Sequence, residues 1–267
     1  MPTARNEEVS LHYDSTGVGT PVLLVMGLGM NATGWWRTVP VLAAAGLRVL
    51  TFDNRGVGRS DRPRGPYTTA VMADDAVAVL DAAAANRAHV YGISLGGMIA
   101  QEVALRYPDR IARLVLGATT PGGDRAIPAD EATLAFFHRR GEMPAEEAVW
   151  ASVPYNYSAR TRANHSDRIA ADIGQRLRFP IESAPYAAQL AAALSHNAYD
   201  RLAMIRAPTL VVHGQEDVMV PPSNGRLLAR LIVDAQLLEL LGAAHLYPTD
   251  EPNADREIAA FLTARAD

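Results

Sequence analysis

Residues 88–107 read AHVYGISLGGMIAQEVALRY, and the organisation of the whole chain turns on how that stretch folds. Ala88 to Ile93 has the composition of a short buried strand, and Leu95 to Tyr107, stopped by Pro108, has the length of a helix. Between them Gly92-Ile93-Ser94-Leu95-Gly96 follows the pattern G-x-S-x-G. The pattern alone is weak, because glycine makes up ~7% of average sequence and chance matches occur in chains of this size. Its setting gives it meaning: a serine on so sharp a strand-to-helix turn tolerates only small neighbours two residues to either side. Gly92 and Gly96 meet that need, and Gly97 adds room. Such a turn lifts the Ser94 hydroxyl to the carboxyl end of its strand, where open parallel sheets place ligands, and aims a helix start at developing negative charge. An ordinary tight turn is the plainer reading.

On either side of this stretch the same strand signature recurs at Pro21 to Met26, Leu47 to Asp53, Ile111 to Gly117 and Pro208 to His213. Segments of helical length, Gly34 to Ala45 and Thr68 to Ala84, lie between the first of them. Strand and helix in alternation predict an α/β fold with a mostly parallel, doubly wound sheet. The alternation stops near Thr120 and resumes near Pro208, and the residues between carry helical signals only, at Ala129 to Arg140, Pro144 to Ala151, Ser166 to Leu177 and Ser183 to Ser195. The expected division is therefore a core of residues 1–120 and 205–267 with a helical cap inserted at 121–204. A helix at Asn224 to Ile232, a strand at Gln236 to Leu240 and a closing helix from Asn253 to Ala264 complete the core.

With 267 residues, 49% of them hydrophobic and 20% charged, the chain can bury one sizeable core. A net charge of −4 and scattered Lys and Arg argue against nucleic acid as a partner. Cysteine is absent, which removes thiolate metal sites and cysteine nucleophiles and fits a reducing cytoplasm. The N-terminus MPTARNEEVS lacks the apolar stretch of a secretory signal, and no uninterrupted span long enough for a membrane occurs. A cytoplasmic protein without a membrane partner is the expectation, and the oligomeric state is open.

A serine hydroxyl is a poor nucleophile until a base takes its proton as it attacks. Of the seven histidines, His245 follows the last expected strand after a Gly-Ala-Ala loop, which puts it on the same edge of the sheet as Ser94; His213, ending another strand, is the rival. His12 and His89 lie in or entering strands, and His138, His165 and His196 lie in the insert. An acid that orients the histidine should also end a strand. Pro208 to His213 leads into Glu216 and Asp217, whose spacing barely separates them, whereas Ala118-Thr119-Thr120-Pro121 offers no acid. For an oxyanion hole, the Leu95 amide supplies one donor and the loop Gly27-Leu28-Gly29-Met30 the other, with Leu28 the chosen residue. No G-x-G-x-x-G occurs, so a Rossmann cofactor site is not expected.

Taken together, LLVMGLG at 23–29, Asp53 to Ser60, YGISLGG at 91–97, HGQEDVMVPP at 213–222 and GAAHLYPTDEP at 242–252 resemble the α/β-hydrolase fold family over nearly the full chain, specifically its cofactor-free serine hydrolases with a helical cap. MGLG and GISLGG look closest to 3-oxoadipate enol-lactonases and to esterases of polyketide pathways. The family order of serine, acid and histidine favours His245 over His213, and the resemblance favours Asp217 over Glu216. One departure is Met26 before Gly27, where many relatives carry His-Gly. The run Asp53 to Ser60, a frequent marker in the family, reads as loop scaffolding.

The resemblance implies a small-molecule ester or lactone substrate, acylation of Ser94, and no metal or organic cofactor. C–C bond hydrolysis, perhydrolysis and acyl transfer are open to the same residues, and a non-catalytic binding protein or receptor, or an enzyme using the pocket only to shape a cyclisation, are rivals from other classes. Aromatic residues at Trp35, Trp36, Phe136, Phe137, Trp150, Tyr155, Tyr157 and Tyr186 are the candidates for lining an apolar or aromatic substrate's pocket. Alternatively the rings of the insert form its own small core.

Overall fold

The computed structural model describes residues 2–264. Its strands are β1 (Thr3–Asn6), β2 (Val9–Thr16), β3 (Thr20–Val25), β4 (Leu47–Phe52), β5 (Ala88–Ile93), β6 (Ile111–Gly117), β7 (Thr209–Gly214) and β8 (Gln236–Leu240). They form one sheet in the order β1-β2-β4-β3-β5-β6-β7-β8, antiparallel through β2 and parallel from β4 onward. Every residue of β5 and β7 is buried, as befits central parallel strands covered on both faces. The first two strands carry no apolar run; β2 contains His12, which reads as lying in or entering a strand, while β1 falls outside the strands expected from sequence. In β2 the apolar residues Val9, Leu11 and Tyr13 recur at every second position, the period of an antiparallel strand, with His12 buried between them and Ser10 only partly covered.

The helices are α1 (Thr38–Ala44), α2 (Thr69–Ala82), α3 (Leu95–Arg106), α4 (Glu131–Arg140), α5 (Ala145–Ala151), α6 (Val153–Asn156), α7 (Ala159–Asn164), α8 (Ser166–Arg176), α9 (Ser183–Leu194), α10 (Ser223–Leu231), α11 (Tyr247–Asp250) and α12 (Ala254–Thr263). The single helix expected over 34–45 is instead a 3₁₀ turn at Ala32–Trp35 followed by α1. Helices α2 and α3 pack one face of the sheet around Met72, Ala76, Ile99 and Val103, while α1 and α12 cover the other around Leu42, Ile258 and Leu262. Among the described residues no helix is long and apolar enough to cross a membrane.

Between β6 and β7 the chain is helical from α4 to α9. Helix α4 starts where the Asp130 side chain accepts from the Thr133 amide at 2.7 Å, an N-cap that satisfies one of the free amides of the first turn. Short α6 and α7 were not foreseen, because Pro154 and Ser158 break the pattern into pieces below the length at which periodicity shows.

Candidate active site

Ser94 follows β5 directly and sits at φ 57°, in the left-handed region that non-glycine residues rarely occupy. Its backbone is held from several directions. The Ser94 amide donates to the Gly117 carbonyl at 2.9 Å, and its carbonyl accepts from the Thr119 hydroxyl at 2.7 Å and the Gly97 amide at 2.9 Å. The small neighbours are demanded by space: a Cβ on Gly92 would overlap the Gly96 carbonyl, one on Gly96 the Val25 carbonyl, and one on Gly97 would stand 2.6 Å from Thr119 Cβ. A strained backbone over-determined in this way keeps a side chain aimed at one place.

Beside it, β3 ends and its loop crosses the serine so closely that a Cβ on Gly27 would lie 3.1 Å from Ser94 Cβ and 3.6 Å from Oγ. Neither the Leu28 nor the Leu95 amide donates to another group among the described residues. The loop is pinned by residues of the marker run. Asn54 Nδ2 donates to the Met26 carbonyl at 3.0 Å, the Asp53 carboxylate accepts from the Ala32 amide at 2.8 Å, and Gln189 of α9 accepts from the Gly29 amide at 2.9 Å while donating to the Arg55 carbonyl at 2.9 Å. Asp53 to Ser60 thus scaffolds the loop. The share of Gln189 gave no signal in the sequence, since a lone glutamine on a helix has many uses.

At the carboxyl end of β7, Asp217 is buried, and its Oδ2 accepts from His245 Nδ1 at 2.8 Å. Its other oxygen accepts from the Met219 and Val220 amides, each at 2.9 Å. Burial alone would push this carboxyl up, but the charge of His245 and the hydrogen bonds from His213 and His245 hold it down at about 2. His213 is not on the cavity. Its Nε2 donates to the Val220 carbonyl at 2.8 Å and lies 3.4 Å from Asp217 Oδ2, so it braces the acid from behind. Glu216, the neighbour that spacing could not exclude, is exposed and accepts from the Ala159 amide at 3.3 Å.

His245 follows β8, and the Ala244 amide before it is fixed by Asp250 Oδ2 at 2.7 Å. Beyond it, the Tyr247 hydroxyl meets the Tyr91 hydroxyl of β5 at 2.7 Å, both rings fully buried, which ties the histidine segment to the strand that carries Ser94. With Nδ1 committed to Asp217, Nε2 is the nitrogen of His245 left to exchange a proton. Among the described residues, no group of three or more His, Asp and Glu side chains is placed to hold a metal ion.

Ser94, Leu28, Leu95 and His245 all line one cavity of about 270 Å³. Phe137 is the aromatic candidate found in its wall. The other seven are corrected, because each ring has a different place. Trp35 packs in the sheet core 4.8 Å from Tyr91, Trp36 donates to Asp172 at 3.0 Å, and Trp150 is half exposed. Phe136 stacks on Tyr155 at 4.1 Å, while the Tyr157 hydroxyl donates to Asp172 at 3.2 Å and that of Tyr186 to the Phe137 carbonyl at 3.0 Å. Phe136, Tyr157 and Tyr186 are buried in the packing of the insert, and aliphatic residues such as Met98, Ile127, Leu134 and Leu190 make much of the cavity wall.

Residues 20–252 match the profile of the family described as alpha/beta hydrolase fold. The chain belongs to that family. Among α/β-hydrolase relatives it is 32% identical to "Putative carbamate hydrolase RutD" of Azorhizobium caulinodans, over 97% of this chain and 96% of the relative. It is 32% identical to "Putative non-heme bromoperoxidase BpoC" of Mycobacterium tuberculosis, over 92% of this chain and 94% of the relative. A solved α/β-hydrolase structure, the enol-lactonase from Burkholderia xenovorans LB400, superposes with a TM-score of 0.88 at 26% identity, covering 98% of this chain and 100% of that one.

Proposed function

We propose that this α/β-hydrolase is a serine hydrolase that cleaves a carboxylic ester or lactone through an acyl-enzyme on Ser94, under a cap formed by residues 121–204. The observation that carries the reading is the buried Asp217–His245 pair, 2.8 Å apart, opening onto the cavity that Ser94 also lines. His245 takes the Ser94 proton as Oγ attacks the carbonyl carbon, and Asp217 stabilises the imidazolium that results. The oxyanion settles between the Leu28 and Leu95 amides, each donor contributing about 3 kcal/mol in the transition state. Collapse breaks the bond to the alkoxide, which receives the proton from His245; in a lactone the leaving alkoxide remains part of the same molecule. Water, deprotonated by the same histidine, then releases the acid and regenerates serine. The cavity's largely aliphatic wall suits a substrate with an apolar body, and the structural likeness to an enol-lactonase supports a lactone as one form of it.

A fluorophosphonate probe and short 4-nitrophenyl esters test this directly. Covalent labelling at Ser94 and ester turnover, both lost in Ser94→Ala with the fold intact, are the expected results; an unlabelled Ser94, or undiminished turnover in the variant, would defeat the reading.

A further inference from the structure

The cavity that Ser94 and His245 line also holds two cations that the hydrolytic machinery does not use. Arg140 ends α4 and Arg176 ends α8, each is only 7% exposed, and both belong to the wall that includes Ser94. Arg140 lies against the oxyanion loop, its Nη2 3.3 Å from where a Cβ on Gly29 would stand, with its guanidinium 4.9 Å from the Tyr186 ring centroid.

Asp172 attracts Arg176 without pairing with it, and Arg140 has no such carboxylate partner among the described residues. Neither arginine forms an ion pair with a carboxylate among the described residues, and Arg140 Nε and Arg176 Nη1 are buried with no hydrogen-bond partner. The polar neighbours are phenol oxygens: that of Tyr186 beside Arg140, and that of Tyr157 beside Arg176. Nearby Asp172 is already engaged by Arg37 Nε at 3.1 Å, by Trp36 and Tyr157, and by the Thr249 hydroxyl at 2.5 Å. Burial first, and then repulsion from Arg140, pulls Arg176 down to about 10, which leaves it cationic at neutral pH. Both residues sit in the last turn of a helix, whose carbonyl ends favour a cation but supply no counter-charge. Buried guanidiniums cannot escape their desolvation by releasing a proton, so a pair without a carboxylate is costly unless a ligand completes it.

We propose that Arg140 and Arg176 form an anion subsite that holds a carboxylate of the substrate, so that the esters or lactones hydrolysed here carry a free carboxylate beside an apolar body. This rests on the hydrolase reading for the bond that is cleaved, but the subsite itself stands on the two arginines. A carboxylate fits the planar guanidinium fork and brings one delocalised charge, whereas a doubly charged phosphate usually gathers more donors than this largely aliphatic wall provides.

The test compares 4-nitrophenyl hydrogen adipate with the ester of the same chain ending in a carboxamide, and measures adipate binding to the Ser94→Ala protein by calorimetry. Wild type should favour the anionic ester in kcat/KM by at least about tenfold, the size expected for hydrogen bonds to a charged group. That ratio should fall to near one in Arg140→Gln and Arg176→Gln, chiefly through KM, and adipate binding should vanish when either change is added to Ser94→Ala. Equal treatment of the two esters by wild type, or a ratio unchanged in both variants, overturns the subsite. Should a glutamine variant fail to fold, the wild-type ratio and adipate binding to Ser94→Ala still decide, since an absent preference together with absent binding refutes it. If no ester is turned over and Ser94 stays unlabelled while adipate binding depends on the arginines, the hydrolase reading falls and the subsite remains.

Discussion

Two groups of buried charge meet at one cavity, the Asp217–His245 pair through His245 and the arginines Arg140 and Arg176 directly, and the protein treats them in opposite ways. At the ends of β7 and β8 the carboxylate of Asp217 is matched by two amides and the His245 ring, with His213 behind. In the helical insert Arg140 and Arg176 have phenols beside them and no carboxylate in an ion pair among the described residues, Asp172 attracting Arg176 only while engaged with Arg37, Trp36, Tyr157 and Thr249. Asp255 shows a third outcome: it is buried away from the cavity, accepts from the Thr38 hydroxyl at 2.9 Å, has its other oxygen unpartnered, and is pushed by burial to about 7. A carboxyl without partners can take up a proton, but a guanidinium has no such way out. Charge matched by the chain itself belongs to machinery set before a ligand arrives. Unmatched cationic charge marks where a ligand has to supply the missing half.

The largest effect should come from unmatching the first group. Asp217→Asn keeps the shape but cannot hold the His245 tautomer, and kcat for any ester that wild type turns over should fall by about 10⁴. The same change should alter acid stability. Because the folded Asp217 carboxyl lies below its unfolded value, its stabilisation is present above about pH 4 and disappears as pH falls towards about 2, a slope that the Asn variant should lack in acid unfolding curves. Next in size is Asp255→Asn. Here the folded pKa lies above the unfolded one, so the folded form keeps a proton that the unfolded chain releases, and stability declines as pH rises from about 4 to about 7. Removing the carboxylate should raise unfolding stability at pH 8 by on the order of 3 kcal/mol relative to its effect at pH 4; equal shifts at both pH values would show that Asp255 is not the group responsible. Smallest is Gly27→Ala, which adds a methyl 3.1 Å from Ser94 Cβ without touching any charge. It should lower kcat by roughly 10- to 100-fold through displacement of the nucleophile, with little change in melting temperature. A loss of stability without loss of rate would place the strain elsewhere.

What the sequence made legible follows the same division. The parallel strands, the turn at Ser94 and the order of the later segments are written in local composition, because a strand buried on both faces must be apolar throughout and a tight turn must be small. The antiparallel strands β1 and β2 are not, since TARN has no apolar run and Val9, Leu11 and Tyr13 announce themselves only by alternation. Asp217 and Glu216 are neighbours that no local rule separates; burial at one and exposure at the other emerge only when β7 and β8 are side by side. The insert was least legible. Its aromatic residues look like pocket lining in a list, whereas in three dimensions Phe136 and Tyr155 stack on each other and Tyr157 turns to Asp172. Arg140 and Arg176, 36 positions apart, read as ordinary surface cations at helix ends until packing buries them together.

The phenol pair joining Tyr91 to Tyr247 has a consequence for anyone exchanging parts between relatives. Tyr247 occupies the space over Gly117, where a Cβ would overlap its hydroxyl, and its partner is on β5, so the segment that delivers His245 is keyed to two strands far earlier in the chain. A chimera that imports the last loop and helix from another member of the family therefore inherits a fitting problem at 91 and 117. Swaps that carry all three positions together should give soluble protein far more often than swaps of the tail alone.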